Sequence, residues 1–219
     1  MRWWLVLIGL FAWAGCFDAV DPEWQLDHDR IVAVRANPPH IPSGASTTFD
    51  ALIAHKGGPT DVEQPLGIAV FAPKELSDIV SGTTVTAPAG LDPSAPVPVD
   101  IVMEFPDSNG IHLAAKKTVY LGDRADNATT VGTILVNGLP PAPGAGIVIP
   151  IDVDVPLSSD APDTSQVMWL TSCGTMHDDD EHAAFIHVLP DDPEQGELAV
   201  VIRDAAGGVV WQVWPISAQ

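Results

Sequence analysis

Cations are scarce in this chain. Nine lysines and arginines stand against 29 aspartates and glutamates, for a formal net charge of −20. A protein that binds a phosphate backbone needs a Lys/Arg patch to release counterions, so nucleic acid is excluded as a partner, and anionic lipid headgroups are disfavoured for the same reason. Cysteine is nearly absent too, with only Cys16 and Cys173 in 219 residues, which excludes a disulfide framework. Long helices have little room among 21 prolines and 18 glycines. No apolar run reaches the roughly 20 residues that a membrane-spanning helix needs.

What is present begins with MRWWLVLIGLFAWAGC, residues 1–16. Arg2 gives a basic start, Trp3 to Trp13 form an apolar run of signal-peptide length, and small residues follow. The sequence therefore predicts export. Ala14, Gly15 and Cys16 resemble the end of a bacterial lipobox, with Trp13 where leucine is usual. That resemblance implies a diacylglycerol thioether on Cys16, a lipid anchor as the contact with the membrane, and residues 1–15 as a lipoprotein signal peptide. Ala12, Trp13 and Ala14 also satisfy an A-x-A site for ordinary cleavage, which would release a soluble, secreted chain. The two alternatives differ over disulfides. A lipidated Cys16 leaves Cys173 without an internal partner, whereas ordinary cleavage leaves both free to pair. Phe17 is unlike an aspartate-type retention signal, so resemblance favours the outer membrane, facing the periplasm or the surface.

Residues 16–27 are polar, interrupted by Pro22, and read as a tether. Beyond them, short apolar runs alternate with Pro, Gly, Asn and Asp at all-β spacing. Strands are predicted over 31–36, 47–55, 67–72, 97–105 and 111–121, with a hairpin turn at 106–110 where Asn109-Gly110 suits positive φ. KELSDIV, residues 74–80, is the one helical turn. In IVIPIDVDV, residues 147–155, the odd positions Ile147, Ile149, Ile151, Val153 and Val155 share one face. This predicts a single half-buried strand, with Pro150 placing it at an edge or bulge. Strands follow at 133–136, 167–173, 183–189, 197–204 and 209–216, the last two forming a closing hairpin. The expected fold is all-β, as two tandem β-sandwiches over 28–122 and 123–219, with one large sandwich as the alternative.

Residues 30–42, RIVAVRANPPHIP, followed by Ser43-Gly44 and then by Thr47 to Leu52, resemble the opening of bacterial immunoglobulin-like domains. Val200 to Val209 resemble their F–G hairpin, and Trp169 matches the core tryptophan of strand C. The arrangement as a whole is similar to two-domain immunoglobulin-like surface lipoproteins of Gram-negative bacteria. The resemblance implies architecture and no chemistry.

One stretch invites a chemical reading. CGTMHDDDEH, residues 173–182, supplies Cys173, Met176, His177 and His182 as soft ligands for copper or zinc, with His187 as a further candidate. Asp178 to Glu181 are hard ligands for calcium, but consecutive carboxylates in an extended loop point apart. Cys173 lies at even spacing from Trp169, so both should face the core, with Met176 to His182 a polar loop. For catalysis, Asp152 and Asp154 are the only carboxylate pair placed to act on a sugar, and Ser43, Ser46 and Ser172 lack a Gly-x-Ser-x-Gly context. No motif calls for a cofactor. Trp211 and Trp214 have opposite parity on the last strand, so one should be buried. The reading is a non-catalytic envelope protein that binds a protein or glycan partner. A metal-binding protein using residues 173–182 and a secreted carbohydrate-active enzyme are the alternatives.

Overall fold

The computed structural model describes residues 22–91, 95–106, 110, 112–124, 129–142 and 144–219. Cys16 and the leader lie outside them, as do residues 107–109 of the expected hairpin turn. The first half contributes β1 (Arg30–Asn37), β2 (His40–Ile41), β3 (Ser46–Ala54), β4 (Asp61–Glu63), β5 (Gly67–Ala72), β6 (Val80–Ser81), β7 (Thr84–Thr86), β8 (Val97–Phe105) and β9 (Leu113–Leu121). A 3₁₀ turn at Lys74–Ile79 takes the place expected of KELSDIV. The second half contributes β10 (Ile134–Val136), β11 (Ile147–Ile149), β12 (Val155–Ser159), β13 (Gln166–Thr171), β14 (Thr175–His177), β15 (Ala183–His187), β16 (Gln195–Arg203) and β17 (Val209–Ala218).

The two halves repeat one immunoglobulin-like topology. The sheets run β1-β3-β7-β6, with β4 off β3, and β2-β9-β8-β5; then β10-β12-β15-β14 and β11-β17-β16-β13. In each half the opening strand is cut in two. Its first part pairs antiparallel with the next long strand of one sheet, and its second part crosses over to pair parallel with the last strand of the other. Prolines sit at both crossovers, Pro38-Pro39 and Pro140-Pro141. Lacking an N–H, proline cannot extend a ladder, so the chain leaves one sheet and joins the other.

The same physics corrects the single strand expected over 147–155. The ladder of β11 ends at Ile149, immediately before Pro150. Asp152 takes φ +59, a left-handed conformation that aspartate tolerates, and its N–H bonds to Val188 O. The chain then enters the opposite sheet at Val155. Val153, expected in the core, is 49 % exposed. The polar loop expected at 176–182 is corrected as well, because Thr175–His177 forms β14 against β15 and buries Met176. Residues 24–26, read as tether, join β13 through a parallel bridge from Gln25 to Thr171, and Leu26 is fully buried.

Three apolar cores hold the four sheets. Phe49, Ile101, Phe105 and Val119 are among the first, inside the first sandwich. Trp169, Trp214, Val200 and Ile186 are among the second. The third lies between the sandwiches and joins Val32, Ala33, Leu52 and Ala54 to Leu170, Ala199, Val201 and Val209. On β16, Leu198, Val200 and Ile202 point into the second core while Ala199 and Val201 point into the third. A strand covered on both faces reads as a continuous apolar run, which explains LAVVI at 198–202. The two sandwiches are therefore packed face to face, the β1–β3 sheet against the β13–β16–β17 sheet.

Candidate functional site

The soft-ligand residues of 173–182 are not brought together. Cys173 packs in the second core with Trp169, and its Sγ donates to Pro193 O at 2.7 Å. Burial, with Asp192 nearby, pushes the thiol pKa up, away from the thiolate that metals and electrophiles require. Met176 is in the core, while His177, next along β14, faces out and stacks on Phe185 at 4.5 Å. His182 is half-buried, and its carbonyl accepts Ser159 N. Among the described residues, no three His, Cys, Asp or Glu side chains are grouped to share a metal ion.

The acidic run instead clamps a tryptophan. Asp179 O accepts Trp169 N at 2.7 Å, and Glu181 O accepts the indole Nε1 at 3.0 Å. Burial pushes the Asp179 carboxyl up, reinforced by Asp180, Glu23 and Asp178. Asp154 binds His187 Nδ1 at 2.7 Å, and Asp152 sits in the turn before it rather than beside it on a strand face.

Polar side chains that reach another domain are found at the seam between the sandwiches. Arg35 forks onto Asp50, at 2.9 and 2.5 Å, and its guanidinium lies 4.2 Å above the Trp211 ring of the second sandwich. Arg203 Nη2 donates to Val32 O at 2.9 Å, and Lys117 Nζ donates to Gly207 O at 2.6 Å. His40 Nε2 meets Ala206 O at 3.1 Å. Burial lowers the pKa of Arg203 and His40, and it takes Lys117 down to about 8, with Arg203 adding to the effect. Burial works against the Asp204 carboxylate, but hydrogen bonds from Thr129, Gly208 and Ala206 outweigh it and hold the pKa below the ordinary value. Three of the few cations thus bridge the sandwiches instead of facing solvent.

Past the third core, the face of β16 and β17 runs on beyond the first sandwich and forms the floor of a cleft of about 560 Å³. Glu197, opposite Pro215 in the register, stands on that floor. Its Oε2 accepts Thr60 N from the first sandwich at 2.7 Å, and its own N–H donates to Ser172 Oγ at 2.9 Å. Gly57, Gly58 and Pro59 form one wall, and Leu26 with Asp27 form another. Behind the floor, Gly196 lets β16 pack closely on residues 172–173, since a Cβ there would lie 2.7 Å from Cys173 Cβ. Among the described residues, two carboxylates, Asp27 and Glu197, line the space, and no lysine or arginine does. Parity arguments from single strands could not find this cleft. It is made where the two sandwiches meet.

No family model matches the chain, and no curated protein matches it in sequence. Among solved structures it is similar to the N-terminal Ig1-2 module of the Drosophila receptor protein tyrosine phosphatase DLAR, at 13% identity over 85% of this chain and 98% of that one, with TM-score 0.29. It is also similar to murine CEACAM1b, at 14% identity over 85% and 99%, TM-score 0.30. A nucleoside hydrolase-related hypothetical protein from Saccharophagus degradans matches at 10% identity, TM-score 0.34. That match covers 47% of this chain, which spans 35% of the length of that protein. Likenesses this distant carry no argument about activity or partner.

Proposed function

We propose that the chain is an exported, non-catalytic binding or structural protein of the cell envelope, anchored by a lipid on Cys16. One observation supports the non-catalytic reading above others. Several groups whose pKa is shifted by their surroundings are holding the fold together: Lys117 and Arg203 across the seam, Asp204 in the closing hairpin, and Asp100 on Thr118 and Lys116. An enzyme would instead set such groups as an acid and a base around a concave pocket. The sandwiches are joined by an apolar core and by bonds from five named side chains, Arg35, His40, Lys117, Glu197 and Arg203, which suits display of a fixed surface. No helix among the described residues is long and apolar enough to cross a membrane, so attachment would fall to the lipid. Two or more acyl chains make such attachment stable.

The test is expression of the whole chain in a Gram-negative host, followed by mass analysis of the mature N-terminus. A diacylglyceryl-modified Cys16, with Cys16→Ser moving the protein from the membrane to the soluble fraction, supports the anchor. Cleavage after Ala14 with a Cys16–Cys173 disulfide would overturn it. That disulfide would also require Cys173, 1 % exposed and bonded to Pro193 O, to leave the core.

A further inference from the structure

We propose that the cleft between the sandwiches is a docking site for a basic segment of a partner protein, taking up one arginine or lysine side chain at Glu197. This rests on the reading of the chain as a binding module and names the partner's chemistry.

Three features match that ligand. The first is a carboxylate already held in place. Glu197 Oε2 is fixed by Thr60 N, which leaves Oε1 to receive a guanidinium or ammonium with little side-chain ordering still to be lost. Asp27, on the facing wall, adds a second negative charge; its carboxylate meets Gln25 Nε2 at 2.6 Å and His28 Nδ1 at 3.2 Å. The second feature is apolar lining for the aliphatic stem. Pro59, Pro193 and Pro215 present rings in the cleft, and rigid rings pack a methylene chain without losing rotamer freedom of their own. The third is space and backbone. About 560 Å³ exceeds what a single side chain fills, and at Gly57 and Gly58, a turn closed by Gly58 N on His55 O, no side chain stands between the backbone and an extended segment. A free polyamine would find the charge but would leave that backbone unused.

The field of the whole molecule points the same way. A net charge of −20 draws a cationic partner, and Arg35, Lys117 and Arg203, which would oppose it, bridge the seam instead. Leu26 lines the cleft and lies ten residues after Cys16, so the site stands within about 35 Å of an anchored lipid even with the chain fully extended.

The test uses the protein as the host matures it, in mild detergent and ~150 mM salt. A terminally blocked Gly-Arg-Gly-Arg-Gly peptide is titrated against it, followed by calorimetry and by backbone NMR shifts. Saturable binding that shifts Gly57, Gly58 and Gly196 is expected. Glu197→Gln keeps an acceptor for Thr60 N and should weaken binding at least tenfold, and Asp27→Asn should weaken it several-fold. Glu104→Gln, an exposed carboxylate on the outer face of the first sandwich, should leave it within twofold. Equal loss in Glu104→Gln and Glu197→Gln would overturn the site in favour of a general anionic field. Spermidine that matches the peptide in affinity would overturn the docking of a chain segment. Shifts that fall elsewhere, or no binding by folded protein, would overturn the proposal outright. None of these outcomes bears on the lipid test, so a failure here leaves the anchored-module reading standing.

Discussion

Lys117 Nζ reaches 2.6 Å to Gly207 O, so a lysine on the last strand of the first sandwich holds the closing hairpin of the second. The amine is largely desolvated, and Arg203 beside it adds repulsion, so its pKa falls to about 8. In the unfolded chain it releases its proton near 10.4. Between those values the unfolded state binds more protons than the folded one, so stability contributed by this group rises with pH through the window. Below pH 8 both states hold the proton, and the folded state carries a poorly solvated charge. Urea unfolding at pH 7.5, 9 and 10 should show wild type gaining stability relative to Lys117→Met, with the difference growing up the series. A difference that is flat across the series would count against the assignment.

The third core makes a separate prediction about cooperativity. Leu52 is 1 % exposed between the sandwiches, and its truncation to alanine should cost about 2–5 kcal/mol. Because that core belongs to both halves, the loss should lower a single unfolding transition seen by all probes. Ala199→Asp places an unpaired charge in the same core and should instead separate the two sandwiches into two transitions. Calorimetry with parallel tryptophan fluorescence distinguishes the outcomes, since Trp169, Trp211 and Trp214 all belong to the second sandwich.

The sequence made much of this fold legible, and residue chemistry explains what it hid. Trp169 and Cys173 at even spacing lie in one core, and Trp211 and Trp214 at odd spacing lie in two different ones. β5 and β8 run over the predicted residues because each is six residues or longer and bounded by turn-forming residues. The short strands β2, β4, β6 and β7 have two or three residues each, too few to show a period. IVIPIDVDV misleads because its alternation continues through Pro150, where the ladder cannot. The cleft at Glu197 was hidden for another reason. Its lining comes from residues 26–27, 57–59, 172, 193, 195–197 and 215, and only the packing of two halves brings them together.

Cys173 should be inert while the protein is folded. It is 1 % exposed, donates to Pro193 O, and has its thiol pKa raised by burial. Iodoacetamide at pH 8 should label it only in denaturant, at a rate set by opening of the second core. Labelling of the native protein at the rate of a free thiol would place the side chain outside that core. Zinc or copper that protected it in the folded state would revive the metal reading of residues 173–182.

Asp204 carries the last prediction, which concerns the closing hairpin. Its Oδ1 accepts Ala206 N and Gly208 N, each at 2.8 Å, while Oδ2 accepts the Thr129 hydroxyl. The turn it organises carries Ala206 O and Gly207 O, the acceptors for His40 and Lys117 of the first sandwich. One carboxylate therefore shapes the loop that two cross-seam bonds depend on. Its folded pKa lies below the ordinary value, so the stability it supplies is fully present above about pH 4 and is lost as pH falls through the folded pKa. Asp204→Asn keeps one acceptor oxygen but gives up the charge and places an NH₂ against one set of donors. The cost at pH 7 should be about 1–3 kcal/mol, shrinking as the wild-type carboxyl is protonated. Amide exchange at Gly207 and Gly208 should quicken in the variant, along with exchange at Thr118 and Tyr120 across the seam. If quickening stops at the turn, Asp204 shapes the hairpin alone and the seam does not depend on it.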